Sequence, residues 1–290
     1  MTFFICSRRR WWHPILEFVL LLLFSAVFLG LSLGALAGIS ALLGDSGFVG
    51  RGFAESMDMY QLEVFVCGML FLAVLAPAAL LSARIVRRHR WRTLLSVTGS
   101  FSWRYLGFGS IVVLALAVLV SIVVAAVEPA GEVHLDVGLL LACFLLVPLQ
   151  SVAEELVFRG ILGQAIGAWT RSPIAAILIP MPLFVFGHDY SPLGLVAIAW
   201  FALCAGFLAH RTESLAAPMA LHIGNNLGFV TFGVLGLQDL NQTEMGILVS
   251  VADVIFVSVA TIVLLQLHRR MTATRALTAH GSLELNGQLV

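Results

Sequence analysis

Long apolar stretches constrain the fold of this chain more than any other feature of its sequence. A helix needs roughly 20 apolar residues to cross the hydrocarbon core of a bilayer. Eight stretches approach or exceed that length, at about 15–43, 62–84, 105–127, 137–158, 173–188, 193–209, 215–237 and 246–267. Of the 290 residues, 60% are hydrophobic and 11% are charged, whereas soluble domains average ~45–50% apolar and ~25% charged residues. The sequence therefore predicts an all-α, polytopic transmembrane helical bundle of about eight spans.

Two of these stretches need separate interpretation. Arg8–Arg10 precede the first stretch and the letters ALA at 35–37 resemble a signal-peptidase site, but the apolar core is longer than the ~7–15 residues of a signal peptide. We therefore expect the first stretch to remain as a span.

The fifth stretch contains Pro173, Pro180 and Pro182, which predict irregular backbone there. A membrane protein tolerates such backbone where it lines a protein-buried cavity.

The uneven distribution of arginine predicts the orientation in the membrane. Of the 16 arginines, 14 lie in five regions: the segment before the first span, the loop between the second and third spans, the turns near 171 and 211, and the C-terminal tail. The opposite loops hold only Arg51, together with nine acidic residues. Because basic residues accumulate on the cytoplasmic side of a membrane protein, both termini are predicted to be cytoplasmic.

The stretch SVAEELVFRG, residues 151–160, places two glutamates and an arginine inside an apolar run. A charged side chain within the bilayer is costly, so it is a candidate functional residue by default. On a helix Glu155 and Arg159 lie four residues apart on one face and can form a neutralising pair, whereas Glu154 points about 100° away. This pattern predicts a structural pair and one spare carboxylate that acts as a base. By contrast, Glu17 begins the first span, and we expect it to reach the cytoplasmic interface.

Two further polar motifs follow within apolar runs. In FVFGHDY, Phe184 and His188 are four residues apart; in ALHIGNN, His222 and Asn226 are again four apart and share a helix face. Two donor side chains one turn apart can converge on a single oxygen, as the stabilisation of an oxyanion requires. Hydrogen bonds between packed helices are the alternative role for such residues.

Together these residues resemble the three motifs EExxxR, FxxxH and HxxxN of the CPBP family of intramembrane proteases. This is the CAAX-protease and bacteriocin-processing group that includes the Rce1-type CAAX endopeptidases. EELVFR, FVFGH and HIGNN carry the resemblance, in that order and each within an apolar run. The resemblance covers about 137–237. It implies a helical membrane bundle that cleaves peptide bonds within or near the bilayer.

The resemblance also implies a role for each motif residue. Glu154 is expected to act as general base on a water molecule, assisted by His188, while His222 and Asn226 bind the oxyanion. Three other residues are expected to support the site: Glu155, Arg159 and Phe184. In the Rce1-type members an asparagine follows the FxxxH histidine four residues later, whereas this chain has Pro192 there. That departure concerns specificity for CAAX substrates more than hydrolysis itself.

The resemblance further implies a bacterial plasma-membrane protein whose partners are the lipid bilayer and a membrane-associated protein or peptide substrate, with no nucleic acid. No cofactor is expected. A metal-dependent protease is one alternative, because a glutamate and two histidines can ligate zinc, although the sequence has no H-E-x-x-H pair. A non-catalytic membrane protein with an immunity, scaffold or transport role is the other, since buried carboxylates and histidines also form proton relays.

The resulting organisation has three regions. Residues 1–136 hold about three transmembrane helices and an arginine-rich cytoplasmic loop, and residues 137–237 form the CPBP-like core. Residues 238–290 comprise the last transmembrane helix and a cytoplasmic tail.

Overall fold

The computed structural model describes residues 2–5, 10–53, 57–127, 133 and 135–287, with side chains up to residue 273. Its α-helices are α1 (His13–Leu42), α2 (Phe48–Arg51), α3 (Leu62–Ala73), α4 (Leu75–Arg87), α5 (Trp103–Val127), α6 (Val137–Glu155), α7 (Gln164–Thr170), α8 (Pro173–Leu178), α9 (Met181–Val185), α10 (Pro192–Thr212), α11 (Ala216–Val234) and α12 (Ile247–Gly287). Phe3–Ile5 and Arg88–Leu94 are 3-10 helices. The described ranges contain no β-strand, so the predicted all-α class is confirmed.

Six helical segments are long and apolar enough to cross a membrane. They are His13–Leu42, Leu62–Leu94, Trp103–Val127, Val137–Thr170, Pro192–Thr212 and Ile247–Ala273, and each contains or overlaps one of the predicted stretches. The stretch 173–188 instead forms the short helices α8 and α9, which are interrupted where the prolines predict irregular backbone. The stretch 215–237 forms α11, which has 19 residues. A total of eight crossings and the cytoplasmic orientation of the termini remain predictions.

Helix α6 does not end near residue 158, as its apolar stretch suggests. It passes into a π-helix, Leu156–Gly163, which leads directly into α7, so helical backbone continues to Thr170. A π-helix is rare and is often found at functional sites. Here it carries Arg159.

Helix α11 is the central helix of the bundle. Of its 19 residues, 13 are buried, and it packs against α5, α6 and α10. Its approach to α5 is close because glycine faces α5 at two positions. A Cβ added at Gly224 would lie 2.6 Å from the Cβ of Val113, and one at Gly228 would lie 2.5 Å from the Cβ of Ala117. Small residues of this kind let helix backbones pack tightly in membranes.

The position of Glu17 differs from the expectation that it reaches the interface. Its side chain is fully buried, and its Oε1 accepts a hydrogen bond of 2.5 Å from Nε of Arg87 on α4. Helix α1 buries few other side chains, because most of its surface faces outward. Glu17 therefore has a protein partner and does not need to reach water.

Candidate active site

The ion pair predicted between Glu155 and Arg159 is present at the end of α6. Arg159 donates a hydrogen bond of 2.8 Å from Nη1 to Glu155 Oε1, and one of 3.1 Å from Nη2 to the carbonyl oxygen of Ala202 on α10. Both charged side chains are almost completely buried. The pair therefore joins the π-helix to α6 and α10 inside the bundle.

Two phenylalanines cover the guanidinium group of Arg159. Its Cζ lies 4.7 Å from the ring centroid of Phe184 and 6.0 Å from that of Phe201, and the two rings are stacked with centroids 6.0 Å apart. Aromatic faces attract a desolvated cation. Phe184, which is expected to support the site, thus contacts Arg159 directly. Sequence reasoning missed Phe201, because a phenylalanine in an apolar helix gives no signal of its own.

His222 lies between the two adjacent glutamates. Its Nδ1 is 2.8 Å from Glu155 Oε1, and its Nε2 is 3.6 Å from Glu154 Oε2. An ionised carboxylate only accepts hydrogen bonds, so Nδ1–H donates to Glu155, which Arg159 also neutralises. This contact fixes the ring and turns Nε2 toward Glu154. Phe201 packs edge-on against the imidazole, with centroids 4.8 Å apart.

Glu154 differs from Glu155 in its partners. It is 6% exposed, and its Oε2 has no hydrogen-bond partner among the described residues, which is also true of Glu155 Oε2. The difference is that Oε1 of Glu155 is engaged by Arg159 and His222. A buried polar atom without a partner is uncommon and requires an explanation, of which a catalytic role is one. The structure thus contains the predicted ion pair, and the role of Glu154 as a base stays a prediction.

A second polar contact joins α6 to α11 one turn away. Asn226 donates a hydrogen bond of 3.2 Å from Nδ2 to Oε1 of Gln150, which also accepts one of 3.3 Å from Ser151 Oγ. Gln150 and Glu154 are four residues apart on α6, as are His222 and Asn226 on α11. Gln150 was missed, although its spacing from Glu154 is a signal that could have identified it.

Among the described residues, no hydrogen bond joins His188 to the polar residues of α6 and α11. His188 follows α9, is partly exposed, and its Nδ1 lies 2.8 Å from the carbonyl oxygen of Phe184. The ring of Phe184 contacts both histidines, with centroids 4.9 Å from His188 and 6.2 Å from His222. Within the described ranges, no hydrogen bond joins His188 to Glu154.

The metal-dependent alternative requires a set of ligands. Among the residues that the structure describes, no three His, Cys, Asp or Glu side chains are grouped so that they could hold a metal ion.

Comparisons with known proteins agree with the motifs. Residues 136–228 match the family model described as "Type II CAAX prenyl endopeptidase Rce1-like". The chain is also similar to "Uncharacterized protein YyaK" of Bacillus subtilis (strain 168), with 26% identity over 183 residues, which are 59% of this chain and 61% of YyaK. The chain thus spans about three fifths of the length of this curated relative. No solved structure matches the chain. Residues 136–228, which carry all three motifs, therefore form an Rce1-like segment in an integral membrane protein with six helices long enough to span a bilayer.

Proposed function

We propose that this protein is an intramembrane endopeptidase in which Glu154 acts as general base on a water molecule. One observation carries the proposal: Glu154 is a buried carboxylate to which no described residue donates a hydrogen bond, and it faces a histidine whose other nitrogen is fixed by Glu155, the partner of Arg159. The Rce1-like match supports peptide hydrolysis as the reaction.

In the proposed reaction, Glu154 removes a proton from water while the water oxygen attacks the carbonyl carbon of the scissile peptide bond. The C–N bond then breaks, and Glu154 returns the proton to the departing amine. A base that later acts as the acid completes the cycle without a net change in the enzyme. Water, the peptide and Glu154 supply every proton and electron pair that moves, so the reaction needs no further reactant.

His222 and Asn226 are proposed to stabilise the oxyanion of the tetrahedral intermediate. Because Nδ1–H of His222 is engaged by Glu155, donation to the oxyanion uses Nε2, with both ring nitrogens carrying a proton. Asn226 has two N–H groups on Nδ2; one donates to Gln150, and the second is available for the substrate. Preorganised donors of this kind commonly contribute the largest part of the rate enhancement.

His188 is proposed to assist Glu154 only after a substrate is bound. Catalytic hydrogen bonds in an unliganded enzyme are often long and shorten in the substrate complex. The break between α8 and α9 and the partly exposed position of His188 allow the ring to move toward Glu154 past Phe184.

The proposal can be tested with the purified protein in lipid vesicles. Two reporter peptides with the same cleavable segment are supplied. One is anchored by a farnesylated cysteine and the other by a transmembrane helix, and the products are identified by mass spectrometry. We expect the wild-type protein to cleave at least one reporter and Glu154→Gln to cleave neither. The reporter that is cleaved identifies the class of membrane anchor. Equal cleavage by Glu154→Gln would contradict the assignment of the base.

A further inference from the structure

A second buried ion pair lies outside the Rce1-like segment. Arg87 on α4 and Glu17 on α1 have side chains that are 3% and 0% exposed, and the Nε–Oε1 distance is 2.5 Å. Neither residue belongs to a motif that the sequence analysis assigns. Placing two charges in the interior of a membrane bundle is costly, so the pair requires a reason.

The remaining nitrogens of Arg87 point at the π-helix and its continuation into α7. Nη1 donates a hydrogen bond of 2.6 Å to Oε1 of Gln164, and Nη2 donates one of 3.4 Å to the carbonyl oxygen of Gly160. Gln164 in turn donates from Nε2 to the carbonyl oxygen of Thr93, at 2.9 Å. The guanidinium group is a rigid planar fork. With Nε held by Glu17, its other two nitrogens contact the side chain of Gln164 and the backbone of Gly160.

The π-helix is therefore held by arginines on both sides. Arg159 points into the site and contacts Glu155, while the neighbouring residue, Gly160, contacts Arg87 on the outer side. Gly160 also allows a close approach, because an added Cβ would lie 2.8 Å from Cδ1 of Leu94. A π-helix is rarely stable as more than a short segment, and the contacts of Arg87 with Gly160 and Gln164 support this one from outside.

We propose that Glu17 and Arg87 are positioning residues for the candidate active site. They hold the π-helix so that Arg159 orients Glu155, and Glu155 orients His222. The first two spans of the chain, which lie outside the matched segment, thereby become part of the catalytic machinery. The inference rests on the proposed peptidase function for its effect on turnover, and on the structure alone for its effect on the π-helix.

The test replaces both charged residues together, as Glu17→Met with Arg87→Met. Exchanging a whole buried ion pair for apolar residues of similar volume usually preserves stability, whereas removing one partner does not. Arg84→Met is the matched control, because Arg84 is an exposed arginine three residues earlier on the same helix. Arg87→Lys is a second variant for the case in which the double variant does not fold; it keeps the charge beside Glu17 but lacks the fork.

Two quantities are measured on full-length protein in detergent micelles or vesicles: amide hydrogen exchange of the peptides that cover 156–164, and the steady-state constants for a cleaved reporter. We expect faster exchange at 156–164 in the double variant, with kcat lowered about tenfold or more and KM little changed, since small displacements of catalytic groups have effects of this size. Arg84→Met is expected to match the wild type in both measurements.

Unchanged exchange at 156–164 in a folded double variant, or in Arg87→Lys if that variant is used, would overturn the proposal. Faster exchange with wild-type kcat would also overturn it, because the pair would then be structural only. If the wild-type protein cleaves no reporter, the proposed function fails while the exchange measurement still decides whether the pair positions the π-helix.

Discussion

At the scale of single residues, the site depends on a difference between two adjacent glutamates. Oε1 of Glu155 is engaged by Arg159 and His222, each at 2.8 Å. Oε2 of Glu154 has no hydrogen-bond partner within the described part of the chain and faces His222 at 3.6 Å. Neighbouring residues on a helix point in directions about 100° apart. One glutamate can therefore belong to the structural ion pair while the next, the proposed base, faces His222.

This difference predicts opposite effects of mutation at neighbouring positions. Removing one partner of a buried ion pair leaves an uncompensated charge, so Glu155→Ala and Arg159→Ala are each expected to lower stability by about 3–5 kcal/mol. Glu154→Gln should leave stability nearly unchanged while it abolishes activity. The check is thermal unfolding of the purified proteins together with their expression levels. Equal stability of all three variants would contradict the division of roles.

Part of the site could be predicted at this scale, and part could not. The i, i+4 spacing predicted the Glu155–Arg159 pair, which depends only on local helix geometry. The contact between His222 and Glu155 joins residues 67 positions apart, and no local spacing encodes such a contact. The burial of Glu17 was missed for the same reason, since its partner Arg87 lies 70 residues away.

At the scale of helices, α11 holds His222 and Asn226 in place through its contact with α5. Gly224 and Gly228 form a G-x-x-x-G pattern on α11, which allows close packing of membrane helices. An added Cβ at Gly224 would lie 2.7 Å from the backbone nitrogen of Leu114. Because backbone cannot move aside as a flexible side chain does, this contact is intolerant of any side chain.

Gly224→Val is therefore expected to destabilise the protein by about 1–3 kcal/mol, the usual cost of overpacking, and to lower activity by displacing His222. Gly107→Val on α5 is the matched control, because an added Cβ at Gly107 meets nothing within 4 Å. Thermal unfolding of both variants in detergent provides the comparison. Similar unfolding temperatures for the two variants would show that the α5–α11 contact is less tight than the structure indicates.

The boundaries of the helices were predictable only where the sequence contains a local signal. Prolines marked the interruption between α8 and α9, because proline removes a backbone donor and clashes with the preceding turn. The continuation of α6 through the π-helix into α7 had no such signal. Contacts such as those of Gly160 with Leu94 and Arg87 hold that segment, and they arise only from the tertiary fold.

At the scale of the whole molecule, composition and apolar stretches were sufficient to predict a helical membrane bundle. Six of the eight stretches form helices long enough to cross a bilayer. The stretch that forms α11 is less apolar because it carries His222 and Asn226 of the candidate site, with Asn225 beside them. The polar side chains of the candidate site therefore lower the hydropathy of α11, the central helix of the bundle.

The central claim concerns the whole protein in its membrane: Glu154 makes it a peptidase. The most direct measurement compares the termini of membrane proteins by mass spectrometry in cells that express the wild-type chain or Glu154→Gln at equal levels. We predict a set of new termini that appear with the wild-type chain and are lost with Glu154→Gln, and these termini would identify the substrates. Identical termini in the two strains, with both proteins folded in the membrane, would contradict the claim.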